Sequence, residues 1–224
     1  MLPLDPTFFF TQLANALIIG VIYALMALGL TLIFGIMKIV NFAHGEVYMV
    51  GGYAYYVAAS LAGIDVYVSL VLAIGTAALV GLAIERFLIS PSYTGKVRAV
   101  SQDREAALVV GINANRMNAL TFTLGCALGG AAGALTSPIF LAYPDMGTFP
   151  GIKGFVIIVL GGMGSVPGSI IGSILLGLVE VFTSAYIPDP RRAFAYRDIY
   201  GLIILVLVLL LRPSGLLGEK GRKA

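Results

Sequence analysis

The feature that most limits this chain is the recurrence of apolar runs about as long as a bilayer is thick, separated by short polar or glycine-rich links. A crossing helix needs about 20 largely apolar residues. Such runs occupy residues 8–34, 47–62, 66–84, 119–143, 155–186 and 198–211. The run at 155–186 is too long for one simple helix, and Gly161-Gly162-Met163-Gly164-Ser165-Val166-Pro167-Gly168 interrupts it. It is therefore read as a short fifth span or half-helix, a glycine-rich turn and a sixth span. The predicted fold is an all-α membrane protein, a polytopic helical bundle of about seven spans within one domain covering residues 1–224. Composition agrees: 59% of residues are hydrophobic and 11% charged, whereas a soluble domain carries charge on about a quarter of its residues.

Charge placement then limits function. The net charge is +3, but the basic residues sit in loops and in the tail, which points to cytoplasmic loops beside anionic membrane lipid and away from nucleic acid. Residues 87–118 and the C-terminal tail are the richest basic regions. Both fall inside if the N-terminus is outside and the C-terminus cytoplasmic, which leaves Arg191, Arg192 and Arg197 external. Residues 1–7 carry no basic side chain and make a poor secretory signal. The Gly95-Lys96 pair is followed by Val97, so it forms no phosphate-binding loop. With one histidine and no His-Glu-x-x-His or Gly-x-Ser-x-Gly string, no catalytic residue, cofactor or metal is predicted. Cys126, the single cysteine, lies in an apolar run and reads as a packing residue.

Several stretches carry more than span-forming character. Residues 98–111 read as an amphipathic helix, with Ala99, Ala106, Val109 and Val110 on an apolar stripe, and Gly111 ends it. Such a helix on the aqueous side can dock into a groove of a soluble partner. Residues 40–46 form a polar knot in which Asn41, His44 and Glu46 supply donors and acceptors and Gly45 permits a tight turn. At membrane depth such backbone persists only inside protein or beside a cavity. A turn held by its own side chains and a translocation role are equally open. Tyr48, Tyr53, Tyr55 and Tyr56 suggest an interfacial belt, and residues 143–154 read as a loop. Gly125, Gly129 and Gly133 share one helix face that admits a close neighbour, and Pro138 kinks the end of that span. Asn15 is expected to bond a neighbouring helix, and Glu180 to pair with Arg191 or Arg192. The glycine-rich turn is favoured as a tight surface turn over a mid-membrane break.

Glu105-Ala106-Ala107, three residues and Gly111 resemble the EAA loop by which ABC importer permeases contact their ATPase. The wider string RAVSQDREAALVVGIN (residues 98–113) resembles the permeases of branched-chain amino acid ABC importers. So do Asn41-Phe42-Ala43-His44-Gly45-Glu46, Leu160-Gly161-Gly162-Met163-Gly164-Ser165 and Arg212-Pro213-Ser214-Gly215-Leu216. The resemblance implies an inner-membrane permease subunit that pairs with a second permease subunit. Cytoplasmic ATPase subunits and an extracytoplasmic substrate-binding protein would complete the importer. Arg104, Glu105, Ala106, Ala107 and Gly111 would carry ATPase coupling within a cytoplasmic loop at residues 87–118. Asn41, His44, Gly45, Glu46, Gly161, Gly162, Gly164 and Ser165 would serve translocation or structure. Members of this family carry about two further spans where this chain has only residues 87–95. Competing expectations are a permease for urea or short amides, a truncated inactive permease, and an intramembrane hydrolase using Ser165 activated by His44.

Overall fold

In a bilayer the backbone must satisfy its own hydrogen bonds, so apolar runs fold as helices. The computed structural model describes residues 6–89, 114–187 and 190–218, with side chains omitted at 114 and 190–198. Among these residues there are seven α-helices: α1 (Pro6–Met37), α2 (His44–Tyr56), α3 (Val66–Ile84), α4 (Ala114–Phe140), α5 (Thr148–Gly161), α6 (Val166–Tyr186) and α7 (Pro190–Leu211). π-helical turns extend α2 through Val57–Leu61 and α3 through Glu85–Ile89. The spans at 6–37, 66–89, 115–140 and 166–186 are long and apolar enough to cross a membrane alone, and α5 and the apolar part of α7 are shorter. The helical count expected from the sequence is met, and the break within 155–186 falls where the glycines placed it. The chain is a multi-pass membrane protein.

Long helices α1 and α4 cross at the centre through glycines. A Cβ on Gly125 would lie 2.8 Å from the Gly29 carbonyl oxygen, and one on Gly29 would overlap the Gly125 carbonyl. Ile33 and Met37 near the end of α1 pack with Phe122 early in α4, whereas Ile22 and Met26 pack with Ala132 later in it. The two helices are therefore antiparallel. Around them α6 packs on α1 and α3 on α4. Asp65 starts α3 by accepting the Tyr67 and Val68 amides at 2.9 and 3.3 Å, as an N-cap should.

The same local unit occurs twice. After α1, Lys38 takes a left-handed φ of 57°; after α4, Leu141 takes one of 65°. Each turn sends the chain back along the bundle in a short non-helical link, and a short helix follows. α2 packs on α4 and runs parallel to it, since His44, Tyr48 and Tyr55 meet Gly129, Gly133 and Ala134 in order. α5 packs on α1 and runs parallel to it, since Gly154 meets Met26, and Ile157 and Ile158 join Ala27 and Leu30. Thus α2 and α5 run in opposite directions from a common depth. Their first turns abut: a Cβ on Gly45 or on Gly147 would overlap the other residue's carbonyl oxygen.

The glycine-rich turn closes the far end of α5. Gly162 and Gly164 take φ of 105° and 85°, which glycine alone adopts freely. The C-terminal segment returns to this turn, where the Leu216 and Leu217 amides donate to the Leu160 and Gly161 carbonyls at 2.8 and 2.9 Å. Those carbonyls are orphans of a helix end, so the tail acts as its cap. Two family-like strings far apart in sequence are one structural unit. Gly35 of α1 lies against Gly164, so the end of α1, the turn and the tail share one end of the bundle.

Several expectations are corrected. Tyr48 and Tyr55 are buried in the core and pack within the bundle, while Tyr53 and Tyr56 are half-buried. Residues 148–154 belong to α5 and are not loop, because glycines at 147, 151 and 154 let this turn enter the bundle against Gly45 and Met26. Asn15 is exposed, on the rim of a groove with Gln12 and Ser184.

Candidate translocation site

The first turns of α2 and α5 frame a cavity of about 430 Å³. Asn41, Phe42, Gly45 and Glu46 line one side, Gly147, Thr148, Gly151 and Ile152 the other, with Leu30 and Phe155 between. The glycines matter because side chains at 45 and 147 would force the two turns apart. Phe42 and Phe155 face each other across the cavity with ring centroids 5.7 Å apart. Positive helix ends converging on a mid-bundle cavity suit the recognition of polar groups away from water.

The structure brings Asn41, Gly45 and Glu46 into this wall but turns His44 away. His44 is 1% exposed, and its ring is clamped between Gly29 and Gly129, where a Cβ at either glycine would come within 2.9 or 2.8 Å of Nε2. Neither ring nitrogen makes a hydrogen bond of good geometry, although the Met26 backbone lies beside the ring. The knot is therefore not a turn held by its own side chains, for α2 has no side-chain cap either.

Gly161, Gly162, Gly164 and Ser165 lie elsewhere, at the end of the bundle. Ser165 caps α6 by accepting the Gly168 amide at 3.2 Å. It has no contact with the buried His44, which is held between Gly29 and Gly129, so a Ser165–His44 nucleophile pair does not form. Arg104, Glu105, Ala106, Ala107 and Gly111 lie outside the described residues.

Sequence reasoning missed a buried charge cluster next to the site. Lys153 of α5 pairs with Glu180 of α6 at 2.9 Å, and Tyr23 of α1 donates its hydroxyl to the same carboxylate at 2.7 Å. Lys153 also donates to the Tyr23 hydroxyl at 3.1 Å and stands 5.5 Å from its ring centroid. Glu180 thus pairs within the bundle with Lys153 and Tyr23, and the side chains of Arg191 and Arg192 lie outside the described residues. The available signal was a lone cation just before the apolar run that carries a lone acid, charges that are costly apart inside a bundle. The wall residues Gly147, Thr148, Gly151 and Ile152 were hidden by reading 143–154 as a loop.

Comparison with known proteins agrees with this architecture. The chain is 29% identical to the high-affinity branched-chain amino acid transport system permease protein LivH of Escherichia coli K12 over 301 residues, covering 95% of this chain and 96% of the relative. It is 30% identical to the permease BraD of Pseudomonas aeruginosa over 297 residues, with 93% and 95% coverage. A shorter match, 31% over 121 residues, links half of the chain to the fructose import permease FrcC of Rhizobium meliloti. No solved structure matches. The LivH alignment spans 301 positions against a chain of 224 residues, so these relatives carry an internal block that is absent here. The family match itself divides near the expected gap, into residues 12–95 and 92–211. On that match the chain belongs to the family described as branched-chain amino acid transport system, permease component.

Proposed function

We propose that the chain is the permease subunit of an ABC importer that carries branched-chain, apolar amino acids across the bacterial inner membrane. The observation that carries this reading is the cavity between α2 and α5, walled by Leu30, Ile152 and Phe155 yet edged by Asn41, Glu46 and Thr148. That mixture suits an apolar side chain on a zwitterion. Transport would proceed by rocking the half-helices between outward and inward access, with a second permease subunit completing the pore. A separate binding protein delivers substrate. Cytoplasmic ATPases dock on the segment holding Arg104, Glu105, Ala106, Ala107 and Gly111. The end of the bundle holding Lys38, Arg212 and the glycine-rich turn faces the cytoplasm, which agrees with the positive-inside rule. The N-terminus is then outside.

The test is reconstitution with candidate ATPase subunits and binding protein in vesicles. ATP-dependent uptake of labelled leucine is expected, and Glu105→Lys should leave ATP hydrolysis uncoupled from uptake. Uptake of urea in place of leucine would assign a short-amide permease. Assembly without uptake of either would mark the missing block as disabling.

A further inference from the structure

Glu46 is an exposed carboxylate in the first turn of α2, yet it stands at mid-bundle depth. Its neighbour Gly45 packs on Gly147 and Gly151, and two residues back His44 sits between the centres of α1 and α4. Ionised side chains at such depth face a watery cavity or a partner, not lipid. Glu46 lines the 430 Å³ cavity. Among the described residues the ion pair is Lys153–Glu180, and the Glu46 carboxylate has neither a hydrogen bond nor a cation. Opposite it are Ile152 and Phe155, with Leu30 beside them. Phe42, 80% exposed, stands at the rim against the Phe155 ring.

We propose that Glu46 is the specificity-determining residue of this cavity: it accepts the protonated amino group of an aliphatic amino acid whose side chain packs on Ile152 and Phe155. The inference rests on the reading of the chain as an amino-acid permease and adds the group that recognises the ammonium. An acidic residue in a first helical turn also complements the helix dipole, a contribution of about 0.3–1 kcal/mol. A dipole role alone is indifferent to what occupies the cavity, so ligand discrimination separates the two roles.

The experiment uses the full chain in lipid nanodiscs with Val40→Cys as reporter, a cavity-lining position outside the proposed contacts; Cys126 is fully buried and gives little background. Labelling by a polar maleimide is followed with millimolar leucine or with the oxo acid of leucine, which lacks the ammonium. Leucine should slow labelling severalfold and the oxo acid should not. Glu46→Gln should abolish protection by leucine, and Glu46→Asp should restore much of it. Equal protection by the two compounds overturns the proposal without any variant at 46, as does undiminished protection by leucine in Glu46→Gln. Leucine uptake by the assembled importer, measured alongside, keeps the questions apart. Leucine uptake without Glu46-dependent protection sinks this inference alone, and uptake of urea in place of leucine sinks the amino-acid reading beneath it.

Discussion

Replacing Lys153 by Met would strip a buried carboxylate of its cation. Glu180 is 1% exposed and holds Lys153 at 2.9 Å through one oxygen and at 3.0 Å through the other, with Tyr23 at 2.7 Å. With Lys153 gone, the Tyr23 hydroxyl donates to a buried carboxylate that has lost its contact at 2.9 Å. Removing one partner of a buried pair costs about 3–5 kcal/mol. Lys153→Met belongs in the upper part of that range, because Glu180 has almost no outlet to water. Glu180→Leu belongs at the bottom, because Lys153 retains 15% exposure and a flexible stem. Removing both charges deletes the desolvation penalty with the attraction, so Lys153→Met/Glu180→Leu should lie within about 1–2 kcal/mol of the wild type. Tyr23→Phe should cost about 1.5–3 kcal/mol, the worth of a hydrogen bond to a charged group. The assay is equilibrium denaturation of the purified protein in mixed micelles across all four members of the cycle. Strictly additive single effects, or a double variant as unstable as Lys153→Met, would refute the assignment of this cluster as what pins α5 to α1 and α6.

Gly51→Ala places a methyl on the Gly130 carbonyl and should destabilise by about 1–3 kcal/mol in the same assay; Gly75→Ala, with nothing within 4 Å, should be neutral or raise stability by up to about 1 kcal/mol. Gly215→Ala, at φ 79° and with its Cβ 2.6 Å from the Gly162 nitrogen, should release the tail from α5, read as faster maleimide labelling of a Leu217→Cys reporter. His44→Leu removes two buried nitrogens that make no hydrogen bond of good geometry and should raise stability by about 1–3 kcal/mol; a lower melting temperature would show that the imidazole is satisfied by a polar group such as the Met26 backbone.

Span-forming helices were legible because their physics is local. Run length and hydropathy sufficed to place α3 at Val66–Ile84 and to divide α5 from α6 at the glycine-rich turn. The glycines at 125, 129 and 133 were legible as a packing face, but what they pack against was not. Gly125 receives α1, Gly129 receives the His44 ring, and Gly133 receives the Tyr48 backbone, three contacts set by the fold and not by spacing. The candidate site was half legible. Asn41 and Glu46 announced themselves as polar residues between apolar runs. Thr148 and Gly151 did not, because a segment rich in proline and glycine reads as loop whether it stays outside or turns back into the bundle. The choice between those two readings depends on a partner, Gly45, about a hundred positions earlier in the chain.

That pairing also bears on the absent internal block. The gap lies near residues 92–95, between α3 and α4, whereas the cavity is built from α1 and α2 on one side of the gap and α5 on the other. Each half supplies a long helix, a left-handed turn residue and a short helix starting mid-bundle, and the halves meet through Gly29–Gly125 and Gly45–Gly147. These contacts are reciprocal, and they involve no residue from the gap. α3 makes its inward contacts through Ala73, Ala77 and Gly81 onto α4 and its neighbours. Its other face carries Val68, Val71, Leu72, Leu79 and Leu82 exposed. Side chains of that kind are as stable against lipid as against another helix. The central crossing and the contact between the two half-helices therefore form entirely from residues present on either side of that point.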